Sequence, residues 1–256
     1  MSAHGEVQAT ADSAWPASCS PGGWSSTWTT LITAHCDKQG AAATFKRGFG
    51  FHPPGAWCAN TGESLAMLLR SGNAGSNTVT DHVRVLGEAI AQLPVAYRRK
   101  ILVRIDGAGA TQRRTGWPYA IIATNIRRIG GVPGSHHPQF LAVLHRSHAT
   151  VKDQVRAGKA MGLRNLPSKS WIVNRGWILA ANIAADLAAW TRLLGLPDQP
   201  DLAHAEPDTL RYRLLHLPAK LATDARRRTL SIPDTWPWAD AFLLCWQRLD
   251  PTPRII

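Results

Sequence analysis

Acidic residues are scarce in this sequence: 17 aspartates and glutamates stand against 29 lysines and arginines in 256 residues, a formal net charge of +12. That imbalance points to a polyanionic partner, with nucleic acid ahead of a membrane surface. Arginine dominates the cations and suits fork-shaped phosphate contacts. Cysteine is scarce too. Cys19, Cys36, Cys58 and Cys245 are scattered without a CxxC pair, which argues against a zinc ribbon or a disulfide framework and for a reducing, cytoplasmic compartment. No apolar run reaches membrane-spanning length; the longest candidate, residues 171–196, carries Asn174, Arg175, Asn182, Asp186 and Arg192. The first residues lack a basic stretch followed by an apolar one, so no export signal is expected, and no internal repeat is present. Enough remains to fold, since 45% of the chain is hydrophobic.

Residues 1–23 are small and polar without an apolar period, and no ordered element is expected there. Leu31-Ile32-Thr33 reads as a strand, and Thr44 to His52 alternates basic and aromatic residues. Residues 55–58 and 64–69 flank an Asn60-Thr61-Gly62 turn and predict a hairpin. A loop at 72–77 leads to a helix capped by Thr80 or Asp81, with Val83, Leu86, Ile90 and Leu93 on one face and Pro94 at its end. That loop lacks the Gly-Lys-Ser/Thr ending of a phosphate-binding loop. Further on, the pattern predicts a strand over 119–124, a helix over 139–158, an apolar helix from Ser170 or Trp171 to Leu194, and a basic helix over 209–216. A strand at 230–232 and a last helix from Trp236 through Leu249 follow.

Ile101 to Ile105 is an apolar strand that delivers Asp106 into the glycine-rich Gly107-Ala108-Gly109-Ala110. A carboxylate at a strand end beside glycines is how many metal-dependent phosphoryl-transfer sites begin, and it is also an ordinary strand-to-turn transition. On the 139–158 helix, His148, Lys152, Arg156 and Lys159 share one face, with Val143, Leu144, Val151 and Val155 opposite. His136, His137, His145 and His148 suggest a metal cluster only weakly, because His145 and His148 alone have workable helical spacing. Trp171, Trp177, Trp190, Trp236, Trp238 and Trp246 read more simply as core than as a base-stacking platform.

Several stretches together resemble the group 1 DDE transposases of bacterial insertion sequences. They are Thr33 to Pro54, Arg70 to Asn77, Arg104 to Ala110, Ala160 to Pro167, Glu206 to His216 and Trp236-Pro237-Trp238. The resemblance implies an α/β, ribonuclease-H-like mixed sheet flanked by helices, with a helical C-terminal extension. It also implies three acids holding two Mg²⁺ ions, and cleavage and strand transfer of double-stranded DNA at element ends and target sites. A homo-oligomer and no membrane association go with it.

Asp106 matches the family's second acid and is the one metal ligand expected. The first acid belongs in an Asp-x-Asp-x-Thr strand, where this chain has Ser26 and Trp28. A frame argument accounts for the loss. If Ser25 and Ser26 use TCN codons, reading Trp24 to Thr29 from each third base gives GTC, NTC, NAC, NTG and GAC. With G at the wobble positions this is Val-Val-Asp-Val-Asp. The last Asp, at the Trp28/Thr29 junction, is forced by the genetic code. A frameshift near Thr29 or Thr30 is therefore expected. The third acid should be a glutamate in a Val-Glu-Asp pattern, and Val151-Lys152-Asp153 puts a lysine there. At an effective dielectric near ~20, charges ~4 Å apart interact by about 4 kcal/mol, so the sign change turns attraction for a metal into repulsion. Asp153 points about 100° away around the helix and does not substitute. The short interval from Asp106 to Lys152 lacks the family's usual insertion, with residues 112–117 as the scar of a deletion, and the family's N-terminal DNA-binding region is also expected to be missing.

The expected division is an unstructured or out-of-frame 1–30, an incomplete catalytic core over 31–167 and a mainly helical 168–256. The expected function is an insertion-sequence transposase impaired in catalysis, and the alternative a non-catalytic DNA-binding remnant that at most inhibits an intact transposase. Arg104, Arg156, Lys159, Arg164, Arg211, Arg213 and the run Arg226 to Arg228 are the candidate phosphate contacts.

Overall fold

A computed structural model describes residues 23–29, 31–34, 37–75, 78–98, 101–105, 110–111, 118–119, 123–124, 134–140, 143, 149–224 and 227–249. Strands β1 (Gly23–Thr29), β5 (Pro54–Cys58), β6 (Ser64–Met67), β7 (Ile101–Ile105) and β10 (Ala123–Thr124) form a mixed five-stranded sheet in the order β10-β7-β1-β5-β6. β1 lies at its centre. It runs antiparallel to β5, with Ser25 opposite Cys58 and Thr29 opposite Pro54, and parallel to β7, from Gly23 opposite Ile101 to Thr27 opposite Ile105. Residues 23–29 were expected to belong to an unstructured or out-of-frame segment, and of these two alternatives the lack of structure is corrected for them. Their Trp and Thr content favours the extended backbone, and both edges of the strand are paired. Residues 1–22 lie outside the described residues.

The predicted hairpin is β5–β6, antiparallel with an irregularity between Ala56 and Trp57. A smaller sheet in the order β2-β4-β3 combines β2 (Ile32–Thr33), β3 (Ala42–Ala43) and β4 (Phe49–Phe51). Gly50 permits this sheet: a β-carbon there would stand 2.0 Å from the Ile32 carbonyl oxygen. The short ladder β8 (Ala110–Thr111) with β9 (Pro118–Tyr119) is separate. The strand predicted over 119–124 is described only at its two ends.

Helix α1 (Val79–Gln92) connects β6 to β7. Its N-cap is Thr78, without a side-chain capping bond, rather than Thr80 or Asp81. Its buried positions are Val85 and Ala89, packed with Ala56 and Ala66, whereas Val83 is exposed. Asp81 is drawn away from capping by Arg70, to which it is ion-paired at 2.9 Å. Leu86 and Ile90 pack beside Leu93, Ile101 and Val103, as predicted for that face.

Helix α2 (Ala149–Gly158) continues as a π-helical turn, Lys159–Leu163, and helix α3 (Trp171–Trp190) as another, Thr191–Gly195. α3 buries Ile178 and Ala181 against Ile32, Phe51, Leu69, Leu163 and Leu166. Short helices α4 (Pro200–Ala203) and α5 (Pro207–Leu210), a π-turn Arg211–Leu215 and helix α6 (Ala239–Leu249) gather around Leu196, Leu202, Leu210, Leu214 and Cys245 as a second core. Between them stands a ribbon, β11 (Lys220–Asp224) with β12 (Arg227–Ser231). Its second strand was predicted from residues 230–232, while β11 was not predicted at all. No described helix is long and apolar enough to cross a membrane.

The expectation of a tryptophan core holds for Trp171 and Trp238, which pack against the two cores, and is corrected for three others. Trp177, Trp190 and Trp246 are 40%, 46% and 55% exposed. On α3 the face with Ile178, Ala181 and Ala189 is buried, and apolar residues on its other faces stay exposed, a distinction that composition alone does not make.

Candidate active-site strands and nucleic-acid interface

The two strands expected to carry the first two acids are neighbours. β1 and β7 run in the same direction in the sheet, and Ser26 is the register partner of Arg104. Trp28 lies opposite Gly55 of β5. Strand β7 ends at Ile105, and Asp106, which follows it in the chain, lies outside the described residues. The strand adjoining β7 contributes no carboxylate of its own, its sequence being Gly-Trp-Ser-Ser-Thr-Trp-Thr.

Lys152 sits within α2. Its neighbour Asp153 is exposed and pairs with Arg156 at 3.1 Å. Arg156 also meets Glu206, the N-cap residue of α5, at 2.7 Å. Two carboxylates therefore hold the guanidinium that the sequence offered as a phosphate contact, and α2 is tied to α5 through it. The expected basic face is thus partly neutralised, and His148 lies outside the described residues. Among the described residues no group of three or more His, Cys, Asp or Glu is placed to hold a metal ion. His136 and His137 are exposed, and His145 is outside the described residues.

Of two other candidates, Lys159 interacts electrostatically with Arg164 and also with Lys46, which the sequence had not singled out. Burial lowers the pKa of Lys159, and the positive charges of Lys46 and Arg164 lower it further. Lys46 comes from the loop before β4 and Arg164 follows the π-turn after α2, so like charges from two separate segments act on Lys159. Burial first, and the like charges second, disfavour its charged ammonium. In the C-terminal region Arg211 is exposed and 3.7 Å from Asp208. The Arg213 guanidinium lies over the Trp238 ring at 5.1 Å.

One buried network escaped sequence reasoning. Arg70 is 6% exposed. Its Nε donates to the His52 carbonyl at 3.0 Å, and its Nη1 donates to the Gly75 carbonyl at 3.1 Å and to Asp81 at 2.9 Å. His52, itself buried, contacts the Ala74 carbonyl through Nδ1 at 3.0 Å. The network fastens the loop before α1 to the sheet. Its signal in the sequence was an arginine directly after an apolar strand and ahead of a glycine-rich loop, which is equally common on surfaces.

The profile of the transposase DDE domain, group 1, matches residues 114–254. The match begins beyond Asp106 and includes Lys152 and the C-terminal region as far as residue 254. No curated protein and no solved structure matches the chain. Because the matched residues make up more than half of the sequence, the protein belongs to the group 1 DDE transposase family.

Proposed function

We propose that the chain descends from an insertion-sequence transposase, binds duplex DNA and is impaired in metal-dependent strand cleavage. The observation that carries this reading is the pairing of β1 with β7: the strand beside the one leading to Asp106 contains no carboxylate. An antiparallel β1-β5-β6 unit, a helical crossing by α1 and a return as β7 parallel to β1 support the ribonuclease-H-like reading of the sheet.

A two-metal site of the family type requires hard oxygen ligands. A serine and a tryptophan at the first-acid positions and a lysine at the third do not fit Mg²⁺. No catalytic step through a metal follows for this chain. What remains is DNA binding, favoured by the net charge of +12 and by the like charges of Lys46 and Arg164 acting on Lys159. On this reading the out-of-frame segment and the lost insertion are the route by which catalysis decayed.

The test is cleavage of labelled duplex DNA with Mg²⁺ or Mn²⁺, run beside the double variant Trp28→Asp, Lys152→Glu. Salt-dependent binding without cleavage by the unmodified chain is expected, and robust cleavage by it sinks the reading. Sequencing the gene tests the history separately: a wobble base that does not encode Asp in the shifted frame at the Ser26/Thr27 junction contradicts the frameshift.

A further inference from the structure

The ribbon Lys220–Asp224 with Arg227–Ser231 forms a sheet of its own. Successive residues of a strand face opposite sides, so consecutive exposed residues report on both faces. Lys220, Leu221, Ala222 and Thr223 are all exposed, as are Thr229, Leu230 and Ser231. Leu221 lies opposite Leu230 and Ala222 opposite Thr229, so the described part of the ribbon is bare on both sides. A bare two-stranded hairpin is marginal in water, and an arm of this kind is expected to settle against something.

Its root is held firmly. Trp236, just beyond β12, donates its indole N–H to the Arg213 carbonyl at 2.9 Å. It packs edge-on against Tyr212 at 5.8 Å and Trp238 at 5.6 Å. Tyr212 is nevertheless 55% exposed. A cluster of Tyr212, Trp236 and Trp238 thus adjoins the arm in the chain, with the Arg213 guanidinium over the Trp238 ring.

Charge identifies the occupant. The two paired strands carry Lys220, Arg227 and Arg228 against the single Asp224; Arg226 lies outside the described residues. A second copy would bring the same positive arm and be repelled, whereas a polyanion is complementary. Dimensions agree. Paired strands lie about 4.8 Å apart, and with side chains such a ribbon enters the major groove, ~12 Å wide, but not the minor groove of ~6 Å.

We propose that the Lys220–Ser231 ribbon is a DNA-contacting arm that lies in the major groove of duplex DNA, its cations meeting the flanking phosphates. The proposal rests on the reading of the chain as DNA-binding and assigns where that binding is made. It needs no metal and no catalytic acid, so it holds for a chain impaired in cleavage.

Fluorescence anisotropy of a labelled duplex tests it, with the full chain and the variant Lys220→Gln, Arg227→Gln, Arg228→Gln compared across a salt series. Each lost phosphate contact flattens the slope of log K against log salt by about 0.9. The variant's slope is expected to be shallower by about 2 to 3, with affinity reduced ~10- to 100-fold near ~0.1 M salt. If the unmodified chain binds and the variant keeps both slope and affinity, the arm is overturned while DNA binding stands. If the unmodified chain shows no salt-dependent binding, the DNA-binding reading fails and the arm with it. Amide hydrogen exchange needs no substitution: ribbon amides are expected to slow when DNA is bound, and unchanged exchange in the bound state overturns the arm even where the variant does not fold.

Discussion

Arg70 and Asp186 show how two ionised groups inside one small protein meet opposite fates. The Arg70 guanidinium finds a carboxylate and two carbonyls through Nε and Nη1, which offset most of its burial, while its buried Nη2 has no hydrogen-bond partner among the described residues. The Asp186 carboxyl accepts a 2.7 Å hydrogen bond from the Ser64 amide at the start of β6. Burial nonetheless pushes its pKa from 3.8 up to about 6, the amide opposing and the Glu63 charge adding to the rise. Glu63 is itself fixed, accepting from the Trp190 indole at 2.7 Å and from the Thr61 hydroxyl at 2.5 Å. Because the folded chain binds the Asp186 proton more tightly than the unfolded chain, stability falls as pH rises from about 4 to about 6 and stays lowered above. Asp186→Asn keeps an oxygen for the Ser64 amide and removes the charge. Its melting temperature is predicted to exceed that of the unmodified chain at pH 7.5 and to converge with it near pH 4; equal melting temperatures at both pH values contradict this.

At the scale of elements, the small β2-β4-β3 sheet depends on close backbone approach. Gly50→Ala forces a β-carbon to within 2.0 Å of the Ile32 oxygen and 2.9 Å of the Ala34 nitrogen, at a φ of +155°. A loss of about 3 kcal/mol is predicted by urea unfolding. Gly87, inside α1, has nothing within 4 Å of its would-be β-carbon, and Gly87→Ala is predicted to stabilise by about 0.5–1 kcal/mol. Equal effects of the two substitutions would contradict the packing described.

The elements also show what the sequence could tell. The β5–β6 hairpin, β7 and the run of α3 followed from periodicity and turn residues, because those signals are local. The α1 cap was misplaced because Arg70, on the far side of the 72–77 loop, claims Asp81. β1 was legible only through the family resemblance, because a paired central strand tolerates Gly-Trp-Ser-Ser-Thr-Trp-Thr, which has no clear alternation of apolar and polar residues. β11 was missed for a related reason: bare on both faces, it has no buried side to impose a period. The exposed side of α3, with Ile172, Leu179, Ile183 and Trp190, lines a groove of about 830 Å³ along β6. Its apolar residues look like core in the sequence because composition alone does not distinguish a packed face from an open one.

At the scale of the molecule, the family is established by the C-terminal half, while the acids concern the N-terminal sheet. Their candidate positions come from the resemblance, and β1–β7 pairing sets two of the three segments side by side. The residues at those positions, rather than the architecture, carry the claim that the site is incomplete. The positive charge is distributed differently from the expectation. Arg156 is engaged by Asp153 and Glu206, whereas Lys159 is acted on by the like charges of Lys46 and Arg164. DNA binding is therefore predicted to survive where cleavage does not.

The measurement that bears most directly on this account is a calorimetric titration of Mn²⁺ into the unmodified chain and into Trp28→Asp, Lys152→Glu. The unmodified chain is predicted to show no binding tighter than about the millimolar range, because an isolated carboxylate is a weak ligand for a hard cation, and the restored chain to bind measurably more tightly. Micromolar Mn²⁺ binding by the unmodified chain, abolished by Asp106→Asn, would contradict the account.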